Sequence, residues 1–210
     1  MKKTTILPLF FLSLITGCSG PAVTFEEPQP TGIKEQSGFS RHIKGTYLNI
    51  SDSSVLTITD RCVFSDYDSE LRIARSTVEN SSDFKTLEDT LVFLPSNSRA
   101  KMVISGDSIF SRIHLRDTLF LISETNVLKK FKGHYFMNTF YGSEAWGVQK
   151  LSFSNGRLTI GDINLKDDLA DLKEITETAS DTLRFDPTRR QFRKFIRKDG
   201  FSNVQEYLRL

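Results

Sequence analysis

Near the C-terminus, Arg189, Arg190, Arg193, Lys194, Arg197 and Lys198 place six cations in ten residues. Like charges at i, i+4 spacing repel by about 0.2–0.5 kcal/mol per pair, so something acidic should lie opposite. An external counterpart would be lipid headgroups, lipopolysaccharide phosphates or an acidic protein. An internal one is also present in the chain: residues 162–181 carry a net charge of −5 and residues 186–198 a net charge of +5. The cancellation favours internal pairing. Phe136, Phe140, Tyr141 and Trp146 form a second constellation, whose flat rings could stack on a sugar or peptide if they are not simply core. The three histidines, His42, His114 and His134, lie in no metal-ligand spacing, and no metal or other cofactor is expected. No G-x-S-x-G elbow is present, so a Ser-His-acid set could arise only in three dimensions. Asp60, Asp66 and Asp68 around Tyr67 could offer oxygen ligands to calcium, but they lack the calcium-loop spacing and suit turn capping equally well.

The elements that would position these groups begin with a leader. Lys2 and Lys3 precede an apolar run from Ile6 to Ile15, followed by Ile15-Thr16-Gly17-Cys18. Basic, apolar and small-residue regions in that order read as a secretory signal peptide over residues 1–17. The tetrapeptide resembles the lipobox of bacterial lipoproteins. That resemblance implies diacylglyceryl transfer to the Cys18 thiol, cleavage before Cys18 and acylation of the new N-terminus. Several acyl chains on one residue make attachment stable, since each buried methylene contributes about 0.8 kcal/mol. The alternative is an ordinary signal peptide with Cys18 bridged to Cys62. Under the lipobox reading Cys62 stands alone in the apolar run Val55–Phe64, where a thiol behaves as a small buried hydrophobe.

Residues 19–40 carry Gly20, Pro21, Pro28, Pro30, Gly32 and Gly38, the composition of a linker, so residues 18–40 read as a lipidated N-terminus and spacer. The 22 residues 19–40 would span about 25 Å if flexible and about 68 Å if extended. The alternative is that Val23-Thr24-Phe25 docks as an edge strand. Val23-Thr24-Phe25-Glu26-Glu27-Pro28-Gln29-Pro30, Lys44-Gly45-Thr46-Tyr47, Leu56–Asp60, Asn126–Tyr135 and Leu172–Thr178 together resemble an uncharacterised family of predicted lipoproteins from Bacteroidetes-type bacteria. The resemblance implies no known activity. It implies a Gram-negative envelope, and because Ser19 follows the cysteine it favours the outer membrane over the inner.

Residues 47–50, 55–58, 91–94, 102–104 and 119–122 are short β-branched or alternating apolar runs, punctuated by turn-forming Ser, Asn, Asp, Gly and Pro. They predict a mainly β fold, an antiparallel meander. Ile43-Lys44-Gly45-Thr46-Tyr47 and Phe131-Lys132-Gly133-His134-Tyr135 match at a separation of 88 residues, and Val55–Ile58 also matches Arg157–Ile160, though at a different separation. These matches suggest two related β lobes over residues 41–128 and 129–210. Residues 166–172 predict one or two helical turns. A short amphipathic helix runs to Lys198 with Asp186 as N-cap and Pro187 at its first position, followed by a final strand or docked tail over residues 204–210.

The whole chain has 28 Lys and Arg against 26 Asp and Glu; with Lys2 and Lys3 gone the mature chain is formally neutral. That is no charge for a nucleic-acid binder. The sequence thus predicts a lipid-anchored, non-catalytic envelope protein that binds or assembles with an envelope protein or glycan. An envelope hydrolase with a site formed only by folding is the alternative.

Overall fold

The computed structural model describes residues 21–95, 97–143, 145–178 and 183–210. The chain is mainly β. Strand β1 (Thr24–Phe25) is followed by β2 (Gly45–Asn49), β3 (Val55–Ile58), the long β4 (Cys62–Ala74) and helix α1 (Arg75–Asn80). Next come β5 (Phe84–Leu87), β6 (Thr90–Phe93), β7 (Ser98–Ser105) and the equally long β8 (Ser108–Leu121). Strands β9 (Asn126–Phe131), β10 (His134–Phe140), β11 (Trp146–Ser154) and β12 (Arg157–Asp162) form a meander. The chain ends with α2 (Asp168–Thr176), β13 (Arg184–Phe185), α3 (Arg189–Arg197) and β14 (Asn203–Arg209). Among the described residues, all fourteen strands hydrogen-bond into one sheet. It is antiparallel except where β1 lies parallel to β13.

The C-terminal strand decides the topology. β14 inserts between β12 and β2, with Leu158 opposite Tyr207 on one side and Leu48 opposite Leu208 on the other. The two halves of the chain therefore share one sheet and one core. Tyr47, Leu56, Ile58 and Val63 from the first half pack with Leu128, Tyr135, Met137, Leu151, Leu158, Ile160 and Tyr207. The boundary expected at 128/129 falls within β9 (Asn126–Phe131). The repeated residues do share a role, since Tyr47 and Tyr135 each follow a positive-φ glycine by two positions and point into this core. They are not equivalent copies, because β2 pairs with β3 whereas β11 separates β10 from β12.

Phe39 closes the curl, lying 6.4 Å from Phe120 at the end of β8 and 5.6 Å from Tyr135 of β10. Beside it the outer edge of β9 is met by the N-terminal segment, where the Gln36 backbone N–H donates to the Leu128 carbonyl at 2.7 Å.

A second core forms on the other face. Alternation along β10 sends Tyr135 and Met137 one way and Phe136 the other, where Phe136 meets Phe192, Phe195 and Phe201 together with Val23, Phe25, Val148, Leu172 and Phe185. Helix α3 supplies Phe192 and Phe195 from its apolar stripe, both fully buried, with Ile196 at the margin. Its N-cap is Thr188, whose hydroxyl accepts from the Gln191 N–H while the Gln191 side chain receives the Thr188 N–H. This capping box corrects the expected cap at Asp186. Pro187 precedes the helix, and the reciprocal Thr-x-x-Gln pair satisfies two backbone donors that Asp186 could not reach. Helix α2 runs past the expected turn to Thr176 because Leu172 and Ile175 both bury against this core.

The described part of the expected spacer, residues 21–40, is bound to the body. Val23 and Phe25 are buried, and β1 is hydrogen-bonded between β11 and β13. Lys129 Nζ donates to the carbonyls of Pro28 (2.6 Å) and Pro30 (3.1 Å), and Asn138 receives the Gln29 N–H at 2.6 Å. The proline and glycine content that read as a linker instead serves a tight path over a sheet.

Candidate functional site

The two longest strands, β4 and β8, pair from Cys62 opposite Leu121 to Ala74 opposite Ser108 and run past the core as an arm, with β3 along the outer edge of its base and β7 along its tip. Period-2 alternation sorts the arm into unlike faces. One carries cross-strand pairs: Arg116 with Asp66 (Nε to Oδ1, 2.6 Å), His114 Nδ1 with Asp68 Oδ1 (3.1 Å), and Arg112 with Glu70 (3.5 Å). The Arg116 guanidinium also covers the Phe64 ring at 4.2 Å, and Arg72 covers Phe110 at 5.4 Å. The hydrogen bond from Arg116 holds the Asp66 carboxyl below the usual carboxylate range. These pairs occupy the carboxylates considered for calcium, Tyr67 donates to Asp117, and Asp60 pairs with Lys44. Among the described residues no group of three or more His, Cys, Asp or Glu side chains could hold a metal ion.

The opposite face of the arm is apolar and has a lid. Strands β5, β6 and β7 fold back with α1 so that Val78, Leu91 and Met102 pack on Ile109 with Leu71, Ile73 and Phe84, a small core of its own. Between this lid and the arm lies a groove of about 420 Å³, lined chiefly by Leu71, Phe84, Leu91, Phe93, Ile113 and Leu115. Leu87, Phe93, Leu94, Val103, Ile104 and Phe110 stand exposed around the same unit. The sequence reading did not single out this groove. Its signal was present in the alternation Ile109, Ile113, Leu115, but the length of β4 and the return of β5–β7 depend on pairing partners about forty residues apart.

The sequence-derived candidates are dispersed. Cys18 lies outside the described residues, as does Asp181 of the acidic stretch. Of the six cations, Lys198 pairs with Asp171 (2.9 Å) and Glu174 (2.8 Å). Arg189, Arg190, Arg193, Lys194 and Arg197 make no ion pair among the described residues, so the expected internal cancellation is met at one position. Arg189, Arg190 and Arg193 instead line a cleft of about 350 Å³ with Phe131 and Lys132. The aromatic platform divides: Phe136 is fully buried, which corrects its place in the set, while the Phe140 and Trp146 rings lie 5.1 Å apart at a tilt of 48° and Tyr141 is 55% exposed. Among the described residues Cys62 forms no disulfide, and it is partly exposed, contrary to the buried site expected; partial burial still pushes its thiol up.

Two histidines meet serines. His42 Nδ1 lies 2.8 Å from Ser40 Oγ, which also contacts the Tyr135 hydroxyl; His134 Nδ1 lies 2.7 Å from Ser152 Oγ. Burial and the neighbouring Lys150 push the His134 imidazole below its ordinary range. Neither histidine contacts a carboxylate among the described residues, and the best-formed cavities are lined by other side chains. Comparison of the chain with protein-family models, with curated proteins and with solved structures finds no match.

Proposed function

We propose that this chain is a lipid-anchored, non-catalytic binding module of a bacterial envelope, held to the outer membrane through Cys18, and that the β4–β8 arm is its recognition head. The observation that carries this reading is the apolar groove of about 420 Å³, a volume within the range of built ligand sites. Its lining selects between the two partner classes that the sequence allowed. A glycan site needs several polar groups to hold hydroxyls, whereas here Ser98, Arg99 and His114 are outnumbered by apolar side chains. The groove therefore suits two or three apolar side chains of an envelope protein.

The test is a comparison of partners recovered by the wild type and by Ala100→Trp, which fills the groove from β7 without touching the main core. Loss of a partner from the variant, with an unchanged melting temperature, is expected. Recovery of the same partners by both proteins would reject the arm as the head. Arg193→Glu with Arg197→Glu, at a distant surface, serves as the control.

A further inference from the structure

The docked N-terminal segment fixes how far the body can stand from a lipid on Cys18. Pro21 packs against β11: a Cβ placed on Gly147 would lie 2.7 Å from Pro21 Cγ and 2.7 Å from Tyr141 Cε2. Only Ser19 and Gly20 separate Pro21 from Cys18. Three residues of chain reach at most about 11 Å whatever their conformation. The headgroup zone of one leaflet is itself about 5–8 Å deep. A body tethered this closely stands at most a few Å beyond the headgroups, so the surface around Pro21 faces them.

That surface has the composition an interface wants. Tyr141 is 55% exposed and Phe140 36%, Trp146 lies beside Phe140 with ring centroids 5.1 Å apart, and Leu183, 38% exposed, enters the same corner where its carbonyl accepts from Thr24. Arg184 reaches the Ser143 carbonyl at 3.4 Å, which ties β13 to the β10–β11 loop. Tyr and Trp carry an apolar body and a polar end, and such rings favour the boundary between headgroups and acyl chains. We infer that Phe140, Tyr141, Trp146 and Leu183 form a lipid-docking corner that seats the body on the bilayer holding Cys18. The inference rests on the anchor proposed above. It assigns these rings to phospholipid rather than to sugar.

Trp146 is the only tryptophan in the chain, so its fluorescence reports on the corner alone. The lipidated protein is reconstituted into phosphatidylethanolamine and phosphatidylglycerol vesicles containing phospholipids spin-labelled near the headgroup. A matched protein has a long Gly–Ser spacer inserted between Gly20 and Pro21. Loss of Trp146 emission is expected in both proteins, and Tyr141→Asp in the spacer background should restore it. Emission that recovers in the spacer protein without that substitution would show that the tether alone brings the corner near lipid, and would overturn the inference. So would an absence of quenching in the wild type. Mass spectrometry of the Cys18 peptide separates the two readings: acylated but unquenched protein rejects the docking corner alone, and unmodified Cys18 rejects the anchor and the corner with it.

Discussion

Asn138 is the side chain on which the N-terminal segment most depends. Fully buried, it receives the Gln29 N–H and donates to the carbonyls of Gln29 (3.0 Å), Val127 (3.1 Å) and Phe136 (3.1 Å). Asn138→Ala leaves buried backbone groups without partners, each costing about 1–3 kcal/mol; chemical denaturation should register a loss of about 3 kcal/mol. Nothing in the sequence marked this residue, because an asparagine within an apolar strand acquires its meaning from a segment 109 residues away. His134 is half-buried. Burial and Lys150 lower its folded pKa below the imidazole value of about 6.5 that it recovers on unfolding. Between those two values the unfolded chain binds a proton that the folded one does not. Its contribution is therefore level above pH 6.5, falls as pH falls towards the folded value and is level again below it. His134→Gln should flatten that part of the stability profile, and a variant with an unaltered slope would contradict the assignment.

At the scale of elements, α3 shows what sequence periodicity can and cannot locate. Phe192, Phe195 and Ile196 identified its inward face, yet its start was displaced by two residues because Asp-Pro is a common opening and Thr188-x-x-Gln191 is a quieter one. Thr188→Ala should cost about 1 kcal/mol in a thermal melt, while Asp186→Ala should leave stability within error. At the other end Gly200 is required by packing, since a Cβ there would fall 2.6 Å from the Phe195 ring, and Gly200→Ala should destabilise more than Thr188→Ala. The arm was harder to read than the helix. Its strands were visible as β-forming runs, but charged residues at 66, 68, 70, 112, 114 and 116 resemble turn punctuation until their cross-strand partners are known. Its middle stretch is bonded to solvent-exposed ion pairs on one face and an open groove on the other. Amide hydrogens of residues 66–70 and 112–116 should consequently exchange faster than those of β10 and β11, which are buried on both faces.

For the molecule as a whole, the alternating and β-branched runs with their turn punctuation indicated a β-rich body. How many cores there are was decided by long-range pairing: β14 joins the halves into one sheet, and β1 completes the face covered by the helices. The N-terminal segment shows the difference most plainly, because residues 21–30 look like a spacer in one dimension and act as a wall in three. Val23 and Phe25 are 4% and 0% exposed, and the Phe25 ring stands 6.3 Å from that of Phe192. Burial of two such side chains is worth about 1.5–3 kcal/mol each, a large fraction of the about 5–15 kcal/mol that holds a typical domain together. A truncated protein beginning at residue 31, the usual choice if these residues were a tether, should lose cooperative unfolding or melt far below one beginning at residue 21. Circular-dichroism melts of the two would decide it: matching curves would mean that β1 contributes nothing to the second core, and the limit of about 11 Å on the reach from Cys18 would go with it.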